Sequence, residues 1–148
     1  MSKTMELLYT GALELGINLD EEQLSKFTSY YKELRIWNQK VNLTAITEHS
    51  AVQAKHFLDS LTCFPLFNDR VPQKPKLMDI GAGAGFPSLP LKLTLPGINV
   101  TLADSVGKKT AFIRHIVELL EIPDVTIITD RAENLGHDHH YRETFDLV

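Results

Sequence analysis

Several shortages narrow the possibilities before any motif is read. The 148-residue chain has a single cysteine, Cys63, so no internal disulfide can form, and its setting in "LDSLTCFPLF" reads as a helix core. That usage points to a reduced, intracellular setting. No apolar run approaches the roughly 18 residues that a membrane-crossing helix needs, and the N-terminus has no signal-type pattern. A soluble, cytoplasmic, monomeric protein without membrane contact is therefore expected. Positive charge is not in excess either: 15 Lys and Arg face 19 Asp and Glu, a net −4. That balance works against a broad nucleic-acid-coating surface but leaves room for one local basic face. Internal repeats and low-complexity tracts are missing. So is any Ser-His-Asp, Cys-His or paired-carboxylate arrangement, and no catalytic nucleophile is nominated.

What is present is an ordinary globular balance, 43% hydrophobic and 23% charged, on a length that suits one domain or one domain with an appendage. Prolines and charges in "NDRVPQKPK", residues 68–76, divide the chain. The expected organisation is a helical region over 1–70 and the first half of a nucleotide-binding type α/β domain over 71–148. In the first part, "MELLYTGALELG" reads as an amphipathic helix stopped by Gly16. Asp20 and Gln23 form a capping box for a second helix. Its buried stripe is expected at Leu24, Phe27, Tyr31, Leu34 and Trp37. A third helix, starting near Thr47 or Ser50 and ending before Pro65, offers Val52, Phe57, Leu61 and Phe64.

After Lys76 the rhythm changes to strand, helix, strand, helix, strand: "KLMDI", "LPLKL", "INVTLAD", "VGKKTAFIRHIVELLEI", "DVTIIT". That alternation predicts a parallel sheet with right-handed crossovers. "FDLV" reads as a fourth strand on the far side of the first. A sheet left there would expose an edge and an apolar face, so a fragment of a longer protein is expected.

"MDIGAGAGFPSLP", residues 78–90, carries the strongest chemical signal. A nucleotide-type ligand lying over a strand end must approach the main chain, and Gly81, Gly83 and Gly85 remove the Cβ atoms in its way. A dinucleotide site wants G-x-G-x-x-G, and here the position of the third glycine is Phe86. Asp79, just ahead of the loop, repels phosphate and suits a cation. S-adenosylmethionine has a sulfonium, an ammonium and no phosphate, and it fits this loop better than a dinucleotide does. Asp104, ending the second strand, can accept both ribose hydroxyls if Ser105 or the backbone caps the next helix. "DRAENL", residues 130–135, lands on the same sheet edge, where Glu133 or the main chain would meet the adenine amine. A solvated Arg131–Glu133 pair is the competing reading.

The acid-free stretch 106–117, with Lys108, Lys109, Arg114 and His115, is the best candidate for a phosphate-backbone contact, with a solvated helix face as its rival. His137, His139 and His140 lack metal-ligand spacing and cysteine partners, so no metal is expected.

Taken in order, "NLTAIT", "KHFLDSL", "DIGAGAGFPSLPL", "LADSVGKKTAF" and "DRAENL…FDLV" resemble the bacterial small-subunit ribosomal RNA methyltransferase G (GidB) family. The resemblance implies a Rossmann-like S-adenosylmethionine methyltransferase fold behind a helical region. It implies methyl transfer to N7 of a guanine in 16S ribosomal RNA, with the RNA or the small ribosomal subunit as partner. It carries Gly81 and Phe86 over as cofactor contacts in the loop, and Ala132 and Glu133 as contacts at the adenine end. It also places Asn42, Lys55 and His56 in family-like motifs, as core or substrate-side residues. Two other readings stay open: an NAD-dependent oxidoreductase, and a non-catalytic helical module that docks on RNA or protein.

Overall fold

The computed structural model describes residues 3–148 and builds helices first, then a parallel sheet with crossover helices. Helix α1 (Glu6–Glu14) stops where Gly16 takes a φ of 80°. There the Ile17 N–H donates to Ala12 O at 2.8 Å and the Gly16 N–H to Leu13 O at 3.0 Å, the paired bonds of a left-handed glycine stop. Helix α2 (Glu21–Asn38) opens on the expected box: the Gln23 N–H donates to Asp20 Oδ1 at 2.7 Å, and the Asp20 N–H to Gln23 Oε1 at 2.9 Å.

The buried stripe of α2 is Leu24, Phe27, Tyr30 and Leu34. Tyr31 and Trp37, expected on it, are half-buried. Steps of three, three and four residues keep Tyr30 in line with Phe27 and Leu34. The third helical stretch begins at His49, where Glu48 accepts the N–H groups of Ser50 and Ala51. It runs without a break through α3 (His49–Val52), a π-helical turn (Gln53–Leu58) and α4 (Asp59–Leu61). Bonds reaching i→i+5 widen that turn, so Val52 and Phe57, five residues apart, are both buried. Phe64 sits outside this stretch, half-buried in a separate 3-10 turn (Phe64–Leu66).

Strands β1 (Lys76–Ile80), β2 (Asn99–Asp104) and β3 (Val125–Thr129) pair in that order, all parallel, with Asp79 opposite Leu102 and Asp104 opposite Thr129. Helix α5 (Ser88–Thr94) joins the first two, α6 (Gly107–Leu119) the second and third, and α7 (Ala132–His137) follows β3. "FDLV" reaches the expected side of β1 but forms a single parallel bridge, Leu77 to Leu147, in place of a strand. The chain enters that edge from a turn in which Glu143 has a φ of 57°, and pairing is confined to Asp146 and Leu147.

Side chains alternate across the strands. Leu77, Val100 and Leu102 face one core with Leu8, Phe27, Tyr30, Phe57, Phe112 and Ile116. Burial of one such apolar side chain contributes about 1.5–3 kcal/mol. Met78 and Ala103 face a small second cluster with Leu135. Helix α2 packs on both α5 and α6, so the helical region rests directly on the crossovers that border the glycine loop.

Candidate functional site

The carboxyl ends of all three strands open into one cleft of about 460 Å³, lined by Ile80, Gly81, Ala103, Asp104, Ser105, Asp130, Arg131, Ala132 and Glu133. Sheet bonding continues past the strand ends and fixes its floor. The Gly81 and Ala82 N–H groups donate to Ala103 O at 2.8 and 3.0 Å, and the Asp130 N–H to Asp104 O at 3.1 Å. A cleft of equal volume lies between the 67–75 loop and the 95–98 turn. It sits at the amino ends of the strands, with Asp69 as its one ionisable side chain, whereas ligands of open parallel sheets bind at the carboxyl ends.

Asp104 is the anchor of the first cleft. Its Oδ2 accepts the Gly83 N–H at 3.0 Å and its Oδ1 the Val106 N–H at 2.9 Å. Asp104 itself therefore takes the N–H entering α6, and neither Ser105 nor another side chain caps that helix. Each carboxylate oxygen keeps a further lone pair for a ligand hydroxyl. Gly81 has a φ of 73°, and a Cβ built there meets nothing within 4 Å, so the main chain is bare toward open space. The lining carries three acids, Asp104, Asp130 and Glu133, against one base, Arg131. That surplus disfavours a pyrophosphate and admits a cation.

Sequence reasoning passed over Asp130. Its Oδ1 accepts the Arg131 N–H and the Asn134 side-chain amide, both at 2.7 Å, and so ties the turn at the cleft rim to the first turn of α7. The Asp-x-x-x-Asn spacing was the available signal. Among the described residues no Arg131–Glu133 ion pair forms.

The family model described as rRNA small subunit methyltransferase G matches residues 23–148. The chain belongs to that family. It is 48% identical to the Ribosomal RNA small subunit methyltransferase G of Roseiflexus sp. (strain RS-1), over 97% of this chain and 60% of the relative. It is 42% identical to the protein of that name from Acetivibrio thermocellus, over 98% of this chain and 59% of the relative. The chain thus spans about 60% of the length of these relatives. The fold is that of the Rossmann-like methyltransferases. A Plasmodium falciparum structure described as a putative protein-L-isoaspartate O-methyltransferase superposes with a TM-score of 0.52 at 17% identity, covering 93% of this chain and 67% of its own. Another protein-L-isoaspartate O-methyltransferase gives 0.52 at 12% identity, over 86% and 42%.

Within the methyltransferase G family frame, Gly81, Asp104, Ser105, Ala132 and Glu133 line the cleft together. Gly83 touches it through its bond to Asp104. Asp79 and Phe86 stand behind it. Asp79 borders an apolar hollow of about 300 Å³ with Cys63, Leu77, Met78 and Leu91, and accepts the Ser88 N–H at 3.3 Å. Burial pushes its carboxyl above the ordinary range; the Ser88 N–H bond opposes that, and Asp104 adds to it. The Phe86 ring stacks on His56 at 4.6 Å and on Tyr30 at 5.5 Å.

His56 is otherwise satisfied by Thr44 Oγ1 at 2.8 Å from Nε2, and burial pushes its pKa down. Asn42 and Lys55 are exposed. His115 leaves the basic set, because its Nε2 lies 2.6 Å from Glu33 of α2, and its ring centroid 5.2 Å from that of Trp37. His140 bonds Asp138, and no group of three metal-ligating side chains occurs among the described residues. None of their helices is long and apolar enough to cross a membrane.

Proposed function

We propose that this chain is the cofactor-binding part of an S-adenosylmethionine-dependent methyltransferase acting on N7 of a guanine in 16S ribosomal RNA. The observation that carries the reading is the acid-lined cleft at the strand ends, bare of Cβ atoms at Gly81, in a chain of the methyltransferase G family. Asp104 would hold the ribose hydroxyls, with Ser105 beside it. Ala132 and Glu133 would meet the adenine, Gly81 the backbone-facing side, and Asp79, Gly83 and Phe86 would shape the loop from behind. Bound there, S-adenosylmethionine supplies an electrophilic methyl group. Guanine N7 has a free lone pair at neutral pH, so no residue of this chain has to remove a proton from it. Their work is positioning and exclusion of water. The 1–70 helical region would support the loop, and the ribosomal RNA or small subunit would be the partner, met in the cytoplasm by a monomer. Lys108, Lys109 and Arg114 are the candidates for phosphate contact.

Calorimetric titration with S-adenosylhomocysteine and with NAD tests the cofactor. Binding of the first and not the second is expected, tighter in a family member of full relative length than in this chain. Binding of NAD alone would overturn the reading in favour of an oxidoreductase. Binding of neither by either chain would favour a non-catalytic docking module.

A further inference from the structure

Tyr30 is fully buried, and its hydroxyl crosses from α2 to the glycine loop, where it donates to Ala84 O at 2.5 Å. Ala84 sits next to Gly83, whose N–H holds Asp104 Oδ2. With glycines on both sides of Ala84, the local backbone has wide freedom of its own. The Ala84 carbonyl shares its rigid peptide plane with the Gly85 N–H, which donates to Ala82 O at 2.8 Å, so the Tyr30 bond and this one together hold the unit that closes the Ala82–Gly85 turn around Gly83. The loop is also fitted around that hydroxyl: a Cβ at Gly85 would lie 2.6 Å from Tyr30 Oη. Burial, and next the charge of Asp79, raises the phenol pKa well above its usual value, so the group stays a hydrogen-bond donor.

We propose that Tyr30 is a positioning residue of the cleft, whose hydroxyl holds the glycine loop in the shape that aims Asp104 at its ligand. The link to ligand rests on the cofactor reading above; the link to the loop does not. A phenylalanine would keep the ring against Phe57 and Phe86 and would leave the Ala84 carbonyl without this partner.

The test compares the unaltered chain with Tyr30→Phe by amide hydrogen exchange and by calorimetry. Calorimetry uses S-adenosylhomocysteine and an analogue lacking both ribose hydroxyls. In the variant, amides of residues 81–88 should exchange roughly tenfold faster while those of Phe112 to Ile116 stay unchanged. Affinity for S-adenosylhomocysteine should fall about tenfold, and affinity for the analogue less than about twofold. Loop exchange at the unaltered rate, or faster exchange everywhere alike, overturns the role of Tyr30. Equal losses for both ligands overturn the route through Asp104. If neither the unaltered chain nor a family member of full relative length binds either ligand, the cofactor reading fails, and the exchange measurement alone decides whether Tyr30 holds the loop.

Discussion

Gly81 and Gly85 stand at the two ends of one loop with the same kind of backbone, φ 73° and φ 96°. Their surroundings are opposite. A Cβ at Gly81 meets nothing within 4 Å, whereas one at Gly85 would lie 2.6 Å from Tyr30 Oη and 2.7 Å from Leu89 Cδ1. The first glycine keeps main chain open toward the cleft. The third lets α2 and α5 close on the loop from behind. A glycine-rich loop thus has two duties here, ligand approach at one end and close packing at the other, and only the structure separates them.

Gly85→Ala should break the packed end with the largest effect. Overpacking costs about 1–3 kcal/mol, and a left-handed backbone bearing a Cβ adds roughly 1–2 kcal/mol. Urea unfolding should therefore show a loss of about 2–5 kcal/mol. Adding Tyr30→Phe should return part of it, because the atom 2.6 Å from the new methyl is gone. A loss below about 1 kcal/mol, less than the overpacking alone, would mean that the loop is not clamped as described.

Asp104→Asn tests the open end. Both carboxylate oxygens accept a backbone N–H, from Gly83 and from Val106, so an amide must turn its NH₂ toward one of them. Hydrogen bonds to charged groups are worth about 1.5–3 kcal/mol, and S-adenosylhomocysteine affinity should fall roughly 10- to 100-fold. Unchanged affinity by calorimetry would remove Asp104 from the ligand site.

The contrast also explains what was legible in the sequence. The Gly16 stop, the Asp20–Gln23 box and the three strands depend on residues within a few positions of one another, and local spacing reveals them. Tyr30 against Tyr31 is a question of which neighbour in a helix turns inward, decided by α5 and α6 from across the fold. The π-helical turn that seats Phe57, and the departure of Phe64 from that stretch, likewise follow tertiary packing. Gly81, Asp104, Ser105, Ala132 and Glu133 could be placed on one sheet edge because each follows a recognisable strand. The duty of Gly85 was hidden, since its partner Tyr30 lies on a different element far back in the chain. "FDLV" has the composition of a strand, but composition does not count the ladder bonds that form.

Gly81→Ala sharpens the comparison with a smaller effect. Its new methyl has space, so stability should drop by only the roughly 1–2 kcal/mol of a left-handed alanine. Gly81 lines the proposed ligand cleft, so an added methyl should crowd the ligand there, and affinity should fall about tenfold. Calorimetry and urea unfolding on the same variant separate the two losses. A stability loss as large as that of Gly85→Ala would erase the distinction between the two ends.

The smallest effect is expected at Asp79, behind the loop. Burial raises its carboxyl above the ordinary carboxylate value, Asp104 reinforces the rise, and the Ser88 N–H bond opposes it. The folded state therefore favours the protonated form. Stability from this group is fully present below its unfolded pKa near 3.8 and is lost as pH climbs through the raised folded value. An asparagine at this position stays neutral and still offers Ser88 N–H an oxygen. Asp79→Asn should consequently gain on the unaltered chain as pH rises from about 4 to 7 in urea unfolding. A gap that narrows over that range would mean that the ionised carboxylate is welcome where it stands, and that a cation is not needed to make it so.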